Sequence, residues 1–262
     1  MSKYKIKTLI TRGHDKLRCE DDFVVNETQN LIVCGVFDGC SSGLDSHIAS
    51  TILKKIMMNV SGLEFAYQLC HKNNDKDYLK YICQDYIDEI YFCLNRLKKQ
   101  DLFFIKEEED LLSTAIILVL DKNNGKYFIQ FAGDGVAFVD GEVVDVHNED
   151  NSVTYLSTIS EKNLDNYINS SKSLSGTIEK TLSISTDGID TFKDVFGITH
   201  VEEARELFFK SERFVKTDGM LTRLYNIFTK ESDAKEDGGT TKKTKLRNID
   251  DFTMIRIIKE DE

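Results

Sequence analysis

One pattern recurs along this chain: an apolar run that ends on an aspartate, usually followed by glycine. It occurs at Val36-Phe37-Asp38-Gly39, Phe131-Ala132-Gly133-Asp134-Gly135 and Ile184-Ser185-Thr186-Asp187-Gly188, and related carboxylates stand at Glu20-Asp21-Asp22 and Asp250-Asp251. A single Asp-Gly is most simply a turn, because both residues favour turn backbone for local reasons. Five acidic strand ends gathered on one rim are a different matter, since their mutual repulsion demands a cation or raised pKa values. Carboxylate oxygens with no histidine beside them suit hard, octahedral Mg²⁺ or Mn²⁺ rather than zinc. The glycine lets a backbone carbonyl come close to a metal. Two such ions would generate hydroxide near neutral pH and clamp a phosphoryl group for in-line attack. Whether the ends converge depends on the elements that carry them.

Tyr4 to Thr11 alternates apolar and polar residues and reads as a strand. Asp22–Asn26 and Leu31–Phe37 read as two more, joined by the polar stretch Glu27–Asn30. Leu31–Phe37 is apolar on both faces, as in a strand inside a packed sandwich. From Leu44 the period becomes helical, with Ile48, Ala49, Ile52, Leu53, Ile56, Met57 and Val60 on one face; a second amphipathic helix covers about Tyr78 to Lys99. The charge run Lys106–Asp110 reads as a solvated loop. Strands return at Thr114–Leu120, Tyr127–Ala132, Val136–Val139 and Thr181–Ser185, with turn signals at Asn123-Asn124-Gly125 and Gly133-Asp134-Gly135. Helical stretches follow near Val201–Ser211 and Gly219–Thr229. The segment from Lys230 to Asn248 is charged and poor in apolar residues and is expected as a mobile loop. Phe252–Ile258 closes the chain as a strand. Runs segregated in this way favour α+β layers over an alternating parallel sheet.

The 262 residues, 40% apolar and 30% charged, fit one domain (1–262) with a core large enough to need no disulfide. A formal charge of -11 argues against nucleic acid or an anionic membrane as the main partner. The cysteines (Cys19, Cys34, Cys40, Cys70, Cys83, Cys93) form no CxxC pair and no zinc spacing. The N-terminal residues lack the apolar core of a signal peptide, and no run approaches a membrane span. Free, mostly buried thiols in a reducing cytoplasm are the expectation.

The motifs also carry a family resemblance. Gly13-His14-Asp15-Lys16-Leu17-Arg18-Cys19-Glu20-Asp21-Asp22-Phe23 resembles the opening motif of the type-2C metal-dependent protein serine/threonine phosphatases, nearest to the bacterial branch. Val36-Phe37-Asp38-Gly39 resembles the family's V-x-D-G. Ser113-Thr114-Ala115 with Ala132-Gly133-Asp134-Gly135 resembles its central pair. Ser185-Thr186-Asp187-Gly188-Ile189 and Asp250-Asp251-Phe252-Thr253 resemble its last two motifs. The blocks stand in family order over essentially the whole chain. The resemblance implies an αββα sandwich, two antiparallel sheets flanked by helices. It implies hydrolysis of phosphoserine and phosphothreonine in proteins by a metal-bridging hydroxide, without a covalent phosphoenzyme. Asp38 would bridge two Mn²⁺ or Mg²⁺ ions, with Glu20 and the Gly39 carbonyl at one and Asp187 and Asp250 at the other. Asp21 would orient water, and Asp134 would join Asp187 at a third, weaker ion. The implied partner is a phosphorylated protein substrate of a cognate serine/threonine kinase, met by a monomer.

The chain departs from the family pattern at several points. Lys16 stands where an arginine commonly holds the phosphate; a lysine lacks the bidentate fork, so the grip is weaker or comes from Arg18 instead. The motif Asp38-Gly39-Cys40-Ser41-Ser42-Gly43 lacks the histidine some relatives use as general acid, leaving Cys40, His14, His47 or metal-bound water. Thr191 replaces an aspartate, with Asp190 shifted by one, which weakens the third-ion reading. These changes motivate the alternative of a catalytically weak relative that binds phosphorylated partners as a regulator. A Ca²⁺-binding module is a third reading, disfavoured because no D-x-D-x-D-G loop is present.

Overall fold

The computed structural model describes residues 3–14, 16–42, 45, 47–59, 62–72, 75–100, 108–146, 153–194, 196–229, 231–235 and 241–260. Two five-stranded antiparallel sheets lie face to face. The first has the order β1 (Lys3–Thr11), β14 (Phe252–Glu260), β9 (Thr181–Ser185), β6 (Gly135–Val139) and β7 (Glu142–Val146). The second has the order β2 (Asp21–Glu27), β3 (Leu31–Gly39), β4 (Ser113–Asp121), β5 (Lys126–Ala132) and β8 (Ser173–Thr177). The α+β sandwich expected from the sequence is the observed architecture.

Strand periodicity explains the layering. Along β3 and β4, Ile32, Cys34, Val36, Ile116, Leu118 and Leu120 face the other sheet, where Leu182, Ile184, Ile255 and Ile257 meet them. The alternate residues Val33, Phe37, Ala115, Ile117 and Val119 face the opposite way. They pack under α1 (His47–Asn59), α2 (Leu63–Lys72) and α3 (Tyr78–Lys98), which contribute Leu53, Met57, Tyr67, Ile82, Tyr86 and Ile90. Both faces of these strands are therefore covered, which is why they read as continuous apolar runs. The outer face of the first sheet is covered by α5 (Val201–Arg205), the π-turn that continues it to Lys210, and α6 (Met220–Phe228). Arg256, buried on β14, donates from Nη1 to the carbonyls of Phe208 (3.0 Å) and Ser211 (2.9 Å), tying the end of that helical stretch to the sheet.

Some elements were not visible in the sequence. α2 and the short α4 (Leu164–Ser170) bury few residues each, so their stripes are weak. β7 and β8 are largely exposed edge strands without a long apolar run. Within 230–248, read as a loop, β11 (Glu231–Lys235) pairs with β12 (Thr241–Lys245), and β13 (Arg247–Asn248) pairs with β10 (Phe192–Lys193). Of the charge run Lys106–Asp110, residues 106 and 107 lie outside the described residues. Asp110 is not solvated: it is fully buried and accepts the backbone N–H of Asp45 at 3.0 Å. All six cysteines are free, but only Cys34 and Cys83 are buried; the other four are partly exposed. No helix among the described residues is long and apolar enough to cross a membrane.

Candidate active site

The carboxylates meet where the two sheets' strand ends adjoin. β2 and β3 are registered so that Asp21 lies opposite Asp38, and Asp38 in turn lies opposite Thr114 on β4. Asp21 is buried; its Oδ2 accepts the Thr186 hydroxyl at 2.8 Å, and Thr186 Oγ1 accepts the N–H of Thr253 at 3.1 Å. This relay joins the second sheet to the Asp187 turn and to β14 of the first. Burial raises the Asp21 carboxyl to about 8, outweighing the Thr186 hydrogen bond. Burial, followed by the charges of Asp21 and Asp187, also drives Asp38 well above the ordinary carboxylate range.

A cleft of about 280 Å³ opens over Asp38 and is lined by Gly39, Cys40, Ser41, Thr114, Asp134, Tyr155, Asp187 and Asp250 among others. Four of the expected metal-ligand aspartates, from four separate segments, thus share one cleft. A larger cavity of about 690 Å³, lined by residues such as His200, Leu207, Ile227 and Phe228, contains none of them. The smaller space is the chemically relevant one, because it is where titratable groups converge.

Glu20 is tied to this rim by Gly39, whose N–H donates to the Glu20 carbonyl at 3.2 Å. Glu20, Asp250 and Asp251 bring carboxylate oxygens within 4.8 Å of one another. Asp251 is spent on the backbone: Oδ1 accepts the Gly13 N–H at 2.7 Å, and Oδ2 accepts the Glu20 N–H. It holds Gly13 and Glu20 against the start of β14, leaving Glu20 and Asp250 as the two carboxylates that Lys16 contacts. Lys16 Nζ donates to Glu20 Oε2 at 2.7 Å, approaches Asp250 Oδ1 at 2.9 Å and also donates to Ser41 Oγ. Burial alone would lower the Lys16 pKa, but its bonds to Glu20 and Asp250 prevail and raise it. Two glycines make this packing possible. A Cβ on Gly188 would lie 1.6 Å from the Asp251 carbonyl oxygen, and one on Gly13 would lie 2.5 Å from that of Ile249.

The turn after β9 is held on two sides. The Thr191 hydroxyl donates to the Gly188 carbonyl at 2.9 Å and accepts the Asp250 N–H at 3.1 Å, bonding the Asp187 and Asp250 loops together. Arg205 Nε donates to Asp190 Oδ1 at 2.7 Å, while its Nη2 donates to Asp190 Oδ2 and to Asp145. The carboxylate displaced by one position is thereby engaged by a guanidinium.

Arg18 stands apart from this cluster. It pairs with Asp45 at 2.7 Å, its side chain is 63% exposed, and it does not line the cleft. Neither His14 nor His47 lines it either. Cys40 does, within hydrogen-bond range of Ser42 Oγ at 3.1 Å and bonded to Tyr155. Burial pushes the Cys40 thiol up, but the bonds to Ser42 and Tyr155 outweigh it and the net shift is downward. The Cys19 thiol goes the other way: burial and the charges of Asp251 and Asp21 push it up to about 12, which favours the neutral thiol over the thiolate. Sequence reasoning missed Tyr155, which no periodicity marked, and the tying roles of Asp251 and Thr191, which need the fold to be seen.

The donor set fits hard divalent cations. It is all oxygen, it comes from converging strand ends, and Asp21 Oδ1 is buried without a hydrogen-bond donor among the described residues.

An antiparallel αββα sandwich with aspartates gathered at its strand ends defines the class, a carboxylate-centred αββα protein. The chain belongs to the protein phosphatase 2C family, whose model matches residues 11–232. Its fold is similar to RsbX solved in complex with magnesium, with 17% identity, a TM-score of 0.55 and coverage of 99% of this chain and 100% of that one. It is also similar to the serine/threonine phosphatase Stp1 from Staphylococcus aureus, with 11% identity, a TM-score of 0.59 and coverage of 99% and 96%. A third likeness is to the phosphatase domain and regulatory fragment of SpoIIE from Bacillus subtilis, with 13% identity, a TM-score of 0.56 and coverage of 100% and 64%. At these identities the likeness is one of fold. No curated protein sequence gives a significant match.

Proposed function

We propose that this protein hydrolyses phosphoserine and phosphothreonine esters in proteins, using two Mg²⁺ or Mn²⁺ ions held by Asp38, Asp187, Asp250, Glu20 and the Gly39 carbonyl. The observation that carries this reading is the convergence of Asp38, Asp134, Asp187 and Asp250 on one cleft, with Glu20 joined to the same group. When bound, the cations supply Lewis-acid neutralisation of the phosphoryl oxygens and a water of lowered pKa. The residues do the rest. Asp38 lies at the cleft, and Asp21, opposite it across the β2–β3 ladder, is the residue to orient water. Asp251 and Thr191 fix the loops that carry Glu20, Asp187 and Asp250. Lys16 and Arg18 are the candidate phosphate-binding cations; Lys16 reaches that role only by leaving Glu20 and Asp250, and Arg18 only by leaving Asp45. Asp134, on the same cleft, is the candidate for a third, weaker ion. The magnesium bound to RsbX supports the choice of metal class. A cytoplasmic monomer acting on the product of a cognate kinase remains part of this proposal.

Hydrolysis of p-nitrophenyl phosphate and of a phosphothreonine peptide should require Mn²⁺ or Mg²⁺ and stop on EDTA addition. Turnover that survives EDTA would refute the metal mechanism. The second reading, a weakly catalytic binder of phosphorylated partners, is favoured by one observation: among the described residues, no histidine lines the cleft. Metal-dependent retention of the phosphopeptide without turnover would select it.

A further inference from the structure

Lys16 occupies a position that its expected role does not explain. Its Nζ lies 2.7 Å from Glu20 Oε2 and 2.9 Å from Asp250 Oδ1, and it donates to Ser41 Oγ as well. Ser41 in turn donates to Glu20 Oε2 at 2.8 Å, closing the arrangement. An ammonium has three N–H donors, and here each has a protein acceptor. Two consequences follow from that count. The ammonium stands between two carboxylates 230 positions apart in the chain, one from each of the two proposed cation sites. It also has no N–H left for a phosphoryl oxygen. Lys16 therefore cannot hold these carboxylates and grip phosphate at the same time.

We propose that Lys16 is a built-in counter-ion that competes with the two divalent cations for Glu20 and Asp250, and that its displacement by them frees it to hold the phosphoryl group. The proposal rests on the two-cation reading above. An ammonium and a divalent cation repel each other strongly at this range, so they exclude one another from the same carboxylates. The four-carbon stem of lysine is flexible enough to move the head without moving backbone. Metal loading and phosphate binding are then coupled through one side chain, and the coupling is reciprocal: phosphate that captures Lys16 also tightens the metal. A bidentate arginine bound to one partner could not alternate in this way as readily, which accounts for a lysine at this position.

The test is Mn²⁺ binding by isothermal titration to the wild type and to Lys16→Met, with no substrate present. The variant should bind Mn²⁺ about tenfold more tightly or better, because a competing positive charge is gone. Equal or weaker binding by the variant, with clear binding by the wild type, overturns the counter-ion role and leaves the metal reading standing. No binding by either protein overturns both. If Lys16→Met does not fold, the wild type still decides. Its Lys16 ammonium signal, resolved by ¹⁵N labelling and slowed in proton exchange by three acceptors, should lose that protection as Mg²⁺ is added. An unchanged signal at Mg²⁺ saturation overturns the proposal.

Discussion

Asp38 and Asp21 face each other across the β2–β3 ladder, where burial makes both harder to ionise and the charge of Asp21 adds to the effect on Asp38. Asp38→Asn removes a ligand from the middle of the carboxylate group while relieving that repulsion. Metal-supported turnover should fall to below about one-hundredth of wild type, while the thermal midpoint of the metal-free protein stays level or rises; near-normal turnover would refute the assignment. The same pair sets a pH dependence. Asp21 has an ordinary carboxylate pKa when unfolded and one raised to about 8 when folded, so between those values the folded state binds more protons. Stability of the metal-free protein should therefore decline as pH rises from about 4 to 8 through this pair, and Asp21→Asn should flatten the decline in urea melts taken across that range.

At the scale of elements, the site depends on two loops passing at backbone contact. Gly188 lies beneath the Asp251 carbonyl, and any Cβ there must push the Asp187 and Asp250 loops apart. Gly188→Ala should cost about 1–3 kcal/mol in urea unfolding and should weaken Mn²⁺ binding as well, whereas a purely local effect would leave binding unchanged. Thr191 works by a hydroxyl rather than a carboxylate, bonding Gly188 and Asp250 together. Thr191→Val keeps the shape and removes both bonds, so it should weaken Mn²⁺ binding measurably with little change in fold. Arg205 clamps the same turn through Asp190, drawing α5 and β7 to it.

At the scale of the whole molecule, the sandwich positions the site by burying one apolar layer between the sheets and one under each helical face. Leu118, in the layer between sheets, is nearly inaccessible. Leu118→Ala should cost about 2–5 kcal/mol while turnover per folded molecule is kept, since the residue touches no site group. Because the carboxylates repel one another without a cation, divalent metal should stabilise the entire domain. At a metal concentration 100 times Kd the gain is about 2.7 kcal/mol, which for a chain of this size is a rise in melting midpoint of about 5–10 °C. Differential scanning fluorimetry with Mg²⁺, Mn²⁺ and EDTA would register it.

Much of this was legible in the residues themselves. Strands such as β3 and β4 are buried on both faces, so their unbroken apolar runs announced them and the aspartates at their ends. The long helices showed their 3.6-residue stripes for the same reason. Edge strands β7 and β8 and helix α2 were not legible, because little of their surface is buried and burial is what imposes a pattern. Sequence alone therefore determined the layers and the set of acidic strand ends, since both follow from local periodicity and residue chemistry. Only the tertiary structure decided which acids meet. It separated Asp250, which faces the cleft, from its neighbour Asp251, which binds backbone N–H groups; it sent Arg18 to Asp45 and placed Lys16 among the carboxylates. Those outcomes depend on contacts between residues more than 200 positions apart, or on side-chain competition for the same partners, and neither leaves a trace in local sequence.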